Sequence, residues 1–417
     1  MRAGAIHSAG LFRVGSATVA SNTHARRRPR WPTRVALSAV TLVALDVGVG
    51  VLFCRDGQFR QWRLPPFPLL FTENQSRWLY ADDWPYYRFD AQLGWTLRPA
   101  AVFGDRRYRT NAAAIRADRE YEIASPPEVT RVAVFGDSFV HGDEVDNTQT
   151  AWALLEASRA DSEVLNFGVP GYGTDQAYLR YVHEAAVYSP HIVVVGLMLE
   201  NLQRNVSVFR PAYYPDTGLP LAKPRFQLDP AGELRLIPTP AKSLPELRDL
   251  IETGRLIHVL CQSDYWVQRS RAAYRGSPLF ASSLGRILYA AHANGGRSQA
   301  DYYENPASEP FQVTASVLEA FCRRAQSDGA GRVLVLILPD KNTMREQLSG
   351  SGACYWESMV KHLRSRGLEC IDFSPALLTA VRRDGVDGHF AGTHYSAEGH
   401  AELARFLDPI LFASSSP

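Results

Sequence analysis

Cysteine is scarce in this chain. There are five in 417 residues, Cys54, Cys261, Cys322, Cys354 and Cys370, an odd number scattered too widely to staple a chain of this length. That leaves room for one or two bridges outside the cytosol without saying which residues would pair. No group of residues has metal-ligand spacing, so neither a metal nor another cofactor is expected. The 45 Lys and Arg against 43 Asp and Glu leave a net charge of +2, which gives no reason to expect a nucleic-acid partner. No segment reads as a lipid-binding lid rich in exposed Leu and Phe. The composition says nothing of oligomeric state. Hydrophobic residues make up 46% of the chain, enough for a substantial core, and the length suits one large α/β domain with accessory parts.

One apolar run stands apart from the rest. Residues 35–54 carry a single charge, Asp46, and as a helix this run matches the thickness of a bilayer core. The basic stretch Arg26-Arg27-Arg28-Pro29-Arg30 precedes it, which by the positive-inside rule keeps residues 1–34 cytoplasmic and puts the remainder outside. A cleaved signal peptide is the competing reading, but no small-x-small cleavage site follows and the span is long for a signal core. A twin-arginine signal fits less well, because the polar residues it needs around its arginines are absent. Asp46 is costly at mid-bilayer, and either pairs with a partner helix or is tolerated in a single span. Residues 55–84, with Pro65-Pro66-Phe67-Pro68, read as a juxtamembrane linker.

From residue 130 the chain alternates short apolar strands with amphipathic helices. Strands are expected near 131–136, 163–167, 191–197, 332–338 and 368–373, and helices near 148–159, 174–189, 311–328, 354–366 and 397–412. This pattern predicts a parallel sheet covered on both faces, with ligands at the carboxyl ends of the strands. Four blocks fall at those ends. Thr130–Gly142 reads TRVAVFGDSFVHG, so a β-branched run breaks at Gly136-Asp137-Ser138 and presents a serine that serves as a nucleophile if a base reaches it. Asn166-Phe167-Gly168-Val169-Pro170-Gly171 follows the second strand. Gly196-Leu197-Met198-Leu199-Glu200-Asn201 ends the third. Near the C-terminus His394 precedes Ser396, a helix N-cap candidate. Each block also has a structural reading without chemistry, as a cap or a Gly/Pro turn.

Taken together, the four blocks resemble the SGNH, or GDSL-type, hydrolase family in its membrane-anchored bacterial form. The resemblance spans about residues 85–413. It implies an α/β three-layer sandwich with a mainly parallel five-stranded sheet, here carrying residues 206–308 as an inserted helical and irregular subdomain. It also implies Ser138 as nucleophile, His394 as base, and an oxyanion hole from the Ser138 and Gly171 N–H groups and the Asn201 amide. Glu200 and Asn201 stand where the family has Asn and Asp; an ionised Glu cannot donate to an oxyanion, so Asn201 is the better candidate. The usual aspartate three residues before the histidine is replaced by Ala391. Either Asp387 supplies the acid from the same loop or a backbone carbonyl orients the imidazole; His389 is the second candidate for the base. Asp90–Trp95 and Tyr108–Asn111 resemble the lead-in of anchored members and are read as packing on the core without chemistry. The insertion follows the Asn201 block and should overhang the site as a substrate cap, or else form a surface subdomain or an oligomer contact.

The implied activity is a serine esterase that removes O-acyl groups, acetyl first, from an envelope or secreted carbohydrate, with an acylated carbohydrate or small ester as partner. Acyl transfer onto a glycan, and glycan binding or assembly without catalysis on the same scaffold, are the alternatives. The domain is expected on the extracytoplasmic side of the cell membrane.

Overall fold

The computed structural model describes residues 31–54, 58–59, 62–63 and 71–412, apart from residues 82, 106, 215–216, 270, 272–277, 295–298, 351 and 353. The basic tail up to residue 30 and residues 55–57, 60–61 and 64–70 of the linker lie outside the described residues. The apolar run forms helix α1, Trp31–Phe53. Its stretch Arg34–Phe53 is long and apolar enough to cross a membrane, with none of it buried in the protein. The end of the expected linker is a helix, Glu73–Tyr80, which Thr72 and Gln75 start with a capping box.

The core is a five-stranded, all-parallel sheet. Its strands are β1 (Thr130–Phe135), β2 (Ser162–Asn166), β3 (Ile192–Met198), β4 (Arg332–Leu338) and β5 (Glu369–Asp372), in the order β2-β1-β3-β4-β5. β3 is buried along its whole length, and β1 and β4 are buried beyond their first residue. This explains their continuous Val/Ile/Leu composition, since both faces of a parallel sheet are covered. Alternate residues feed the two faces. Ala133, Phe135, Val193, Val195, Val335 and Ile337 pack against one helical layer, and Val132, Val134, Val194, Leu334 and Leu336 against the other.

The helices of the two layers are α2 (Ser138–His141), α3 (Ala151–Ala157), α4 (Thr174–Arg180), α5 (Ser283–Asn294), α6 (Glu309–Ser327), α7 (Lys341–Leu348), α8 (Glu357–Ser365), α9 (Ser374–Asp384) and α10 (Ala397–Phe412), with α5 set apart in the insertion. α4 and α6 lie on the first face and α2, α3, α9 and α10 on the second. The expected helix 174–189 changes pitch, continuing from α4 as a π-turn at 181–185 and a 3₁₀ turn at 186–188.

A third hydrophobic cluster joins the lead-in to the insertion. Trp84, Tyr86, Trp95 and Leu97 pack with Val206, Phe209, Leu247 and Leu260 over Val313 and Val317 of α6. The lead-in hairpin pairs Tyr87–Asp90 with Gly94–Leu97. Both accessory parts are therefore built onto the sheet domain through one shared core.

Candidate active site

β1 leads to β2 on one side, and β3 lies on its other side, so the sheet has its switch point between the carboxyl ends of β1 and β3. The first turn of α2 sits there. Close approach explains two glycines: a Cβ at Gly136 or at Gly196 would lie 2.5 Å from Val140 Cγ2. Their absence of side chain lets α2 rest on the two strand ends and carry Ser138 to the edge.

Asp137 caps α2. Its Oδ1 accepts from Phe139 N at 2.9 Å, and its Oδ2 accepts from Asn201 Nδ2 at 3.1 Å and from Arg204 Nη1 at 2.8 Å. The aspartate thus binds the start of α2 to the end of β3. Opposite, the short hairpin of Phe390–Ala391 with His394–Tyr395 precedes α10. Tyr395 is buried, donates to Pro339 O at 2.8 Å and packs edge-on against Phe139. His394 is fixed beside it, with Nε2 2.8 Å from Ser138 Oγ.

The remaining residues singled out in the sequence fall as follows. Asp387 is not bonded to His394. Its carboxylate is 81% exposed and pairs with Lys341 at 2.8 Å and Arg345 at 3.4 Å, because the turn Val386–His389 aims it outward. Those two cations hold its pKa below the ordinary carboxylate range, Lys341 most strongly. The contact recorded at His394 Nδ1 is Thr393 Oγ1 at 3.4 Å. Ala391, the position where the family places its acid, lies directly across the hairpin from His394. His389 is fully buried and its Nδ1 meets Gly385 O at 3.3 Å, away from Ser138. Gly171 lies on the cavity with φ +81°, a conformation that favours glycine, and its carbonyl accepts from Arg210 Nη1 at 2.8 Å. Neither Ser138 N nor Gly171 N has an acceptor among the described residues. Asn201 is buried beneath the cavity, with its amide engaged on Asp137. Glu200 faces the cavity and is held by Arg204 and by the Tyr213 hydroxyl at 3.0 Å. Burial pushes its pKa up, but the charges of Arg204 and Arg210 outweigh that and keep it ionised.

A serine at the end of the first strand, a glycine turn after the second, a polar pair after the third and a histidine before the last helix meet on one sheet edge. The five-stranded parallel sheet and this convergence are what the resemblance to SGNH hydrolases leads one to expect.

No family model and no curated protein sequence matches the chain. Solved structures similar to it include a member of the lipolytic protein G-D-S-L family from Veillonella parvula, at 12% identity and TM-score 0.35, covering 68% of this chain and 98% of that one. An acetylxylan esterase from Geobacillus stearothermophilus is similar at 13% identity and TM-score 0.35, covering 68% and 94%. An alpha/beta hydrolase from the metagenome of Lake Arreo, Spain, gives 12% and 0.36, covering 67% and 93%.

At this sheet edge, Ser138 and His394 open into a cavity of about 640 Å³. The insertion supplies Arg210, Tyr214, Thr217 and Leu219 to its wall, and the N-terminal turn of α7 and the residue after it supply Lys341, Asn342 and Arg345. Asp143 also lines it. This residue escaped the sequence reading, which ended the nucleophile block at Gly142. Its Oδ1 lies 2.6 Å from His141 Nδ1, and Tyr86 Oη lies 2.7 Å from His141 Nε2. Arg116 bonds the His141 and Gly142 carbonyls. Burial, then the Arg116 charge, lower the His141 pKa to about 4, so the ring is neutral. Burial raises the Asp143 pKa, but the hydrogen bond from His141 outweighs it and brings it below its ordinary value. The lead-in therefore braces the back of α2 through Tyr86 and Arg116. All five cysteines are free thiols.

Proposed function

We propose that this protein is a serine esterase that removes O-acyl groups, acetyl foremost, from a carbohydrate at the outer face of the membrane. The observation that carries the reading is the 2.8 Å contact between Ser138 Oγ and His394 Nε2 at the switch point of the sheet, facing an open cavity. In the Nδ1–H tautomer, Nε2 takes the hydroxyl proton as Oγ bonds the ester carbonyl carbon. The carbonyl π electrons move to oxygen. The N–H groups of Ser138 and Gly171, free of other acceptors among the described residues, face that charge. The tetrahedral species collapses, His394 returns the proton to the leaving alcohol oxygen, and an acyl-serine remains. Water then gives a proton to His394 as its oxygen adds to the acyl carbon; the acyl–Oγ bond breaks, His394 returns that proton to Ser138 Oγ, and the carboxylic acid leaves.

Asn201 acts one layer behind, by fixing Asp137. His394 works with Ser138 as a dyad oriented by its own loop. A cavity far larger than an acetyl group, walled by Tyr87 and Tyr214 with Arg210 and Lys341, suits a bulky polyhydroxyl alcohol. The test uses the full chain in detergent with p-nitrophenyl acetate and with acetylated oligosaccharide. Acetate release with an acetyl adduct on Ser138, absent in Ser138→Ala, supports the reading. Acetyl transfer to added oligosaccharide without acetate release makes the protein a transferase. Binding of the oligosaccharide without either reaction removes catalysis from the proposal.

A further inference from the structure

Asp46, the one acidic residue in the apolar span of α1, has found a partner helix within its own chain. Its Oδ1 accepts from Ser282 Oγ at 2.8 Å and from Leu284 N at 2.7 Å, and its Oδ2 accepts from Ser283 N at 3.1 Å. These are donors at the first turn of α5, which a carboxylate both satisfies and stabilises electrostatically. One turn on, Gly50 lets the two helices touch: a Cβ there would lie 2.6 Å from Ser283 Oγ and 3.4 Å from Ser283 Cβ. The contact is thus specified at two positions on one face of α1, i and i+4.

Asp46 lies seven residues before Phe53, about 10 Å along the helix axis from that end. An element docked at that depth shares the environment of the span. α5 is composed for it. Leu284 and Leu288, again i and i+4, are 46% and 60% exposed in the protein. The other side of α5 is tied to the insertion. Tyr289 donates to Arg269 O at 2.7 Å and meets Phe280 edge-on, and Trp266, three residues before Arg269, donates from Nε1 to Gln203 O at 3.3 Å just past β3.

We propose that α5 is a second membrane-seated element: a helix of the insertion that docks against the anchor in the outer half of the bilayer, capped by Asp46, with Leu284 and Leu288 facing lipid acyl chains. The insertion then serves two surfaces. Arg210, Tyr214, Thr217 and Leu219 wall the cavity, and α5 holds the domain at a fixed attitude to the membrane. The inference rests on α1 being a membrane span and is independent of the esterase reading.

The test uses the full chain, with its five cysteines replaced, reconstituted in phosphatidylcholine vesicles. The pair Gly50→Cys and Ser283→Cys has its Cβ atoms within reach of a disulfide. Copper phenanthroline should protect most of it from maleimide, whereas Gly48→Cys with Ser283→Cys should stay open, since nothing lies within 4 Å of a Cβ at Gly48. Adding Asp46→Leu should open the first pair, and Asp46→Asn should preserve part of it. A bimane on Leu288→Cys should be quenched by spin-labelled acyl chains and not by iodide. Iodide quenching at Leu288, with a bimane on Val40→Cys still quenched by lipid, overturns the proposal and spares the anchor. Iodide quenching at both positions means that α1 does not span. Failure of the 50–283 pair to close overturns the docking itself.

Discussion

At the scale of single residues, the base–nucleophile pair makes the sharpest claim. Ser138 Oγ has His394 as its partner and sits over a cavity, so Ser138→Ala removes one hydrogen bond and leaves no void. Stability should change by about 1 kcal/mol or less, while activity should fall by about 10⁴–10⁶-fold. His394→Ala should do the same, and the double variant no worse, because the two groups act as a unit. Thermal melts beside acetate release check both halves. Asp387→Asn should leave the rate nearly unchanged, since its carboxylate points away to Lys341 and Arg345. Ala391→Asp should raise kcat, because the hairpin register places position 391 opposite His394. A carboxylate in contact with the imidazole secures its tautomer and stabilises the imidazolium, an effect of up to about 10⁴-fold in a serine triad. An unchanged rate in Ala391→Asp would show that the loop alone already orients His394. Asn201→Ala should cost less than the about 10²–10³-fold of a direct oxyanion donor, because its amide is engaged on Asp137.

At the scale of elements, the seat of α2 is the critical feature. Gly196→Ala would place a Cβ 2.5 Å from Val140 Cγ2 and displace the turn that carries Ser138. The expected outcome is a loss in kcat with little change in KM for a small ester; equal kcat would mean that the strand yields instead. The sheet, most of its helices and the four strand-end blocks were legible because buried parallel strands are unbroken apolar runs and because turns there need glycine. Less legible was anything set by contacts between distant segments. The α7 and α9 helices went unread, although Lys341 and Arg345 reach the cavity from α7. Asp387 read as a plausible acid on distance in sequence alone, and only the fold shows its side chain turned to solvent. Asp143 was missed because its partner His141, two residues before it, is itself held from the far side by Tyr86 of the lead-in. Asp46 posed the right question in sequence, but its answer lies 236 residues away.

At the scale of the whole molecule, the sheet domain is held to its lead-in by buried polar groups that stay neutral or paired, and acid should find them first. His141 and His400 are fully buried. Burial, then the charge of Arg116, lower their pKa values to about 4 and about 3. In the unfolded chain both rings titrate near the ordinary histidine value of about 6.5. Above that pH both states are neutral at these rings and folding carries no penalty. As pH falls below 6.5 the unfolded chain takes up protons that the folded protein refuses, so stability declines, and the loss is complete only below the folded values. For His141 alone the decline is on the order of 3 kcal/mol by pH 4. Asp143, whose pKa is lowered, adds to the loss below its ordinary range, as its unfolded form then binds a proton first. The expected result is a denaturant midpoint that is flat above about pH 7 and falls steadily from about pH 6 toward pH 4, with Tyr86 and Arg116 released together with α2. His141→Gln keeps a donor and acceptor in place without a titrating ring, so it should flatten that slope even if it lowers the plateau. A slope unchanged in His141→Gln and in His400→Gln would assign the acid sensitivity to other groups.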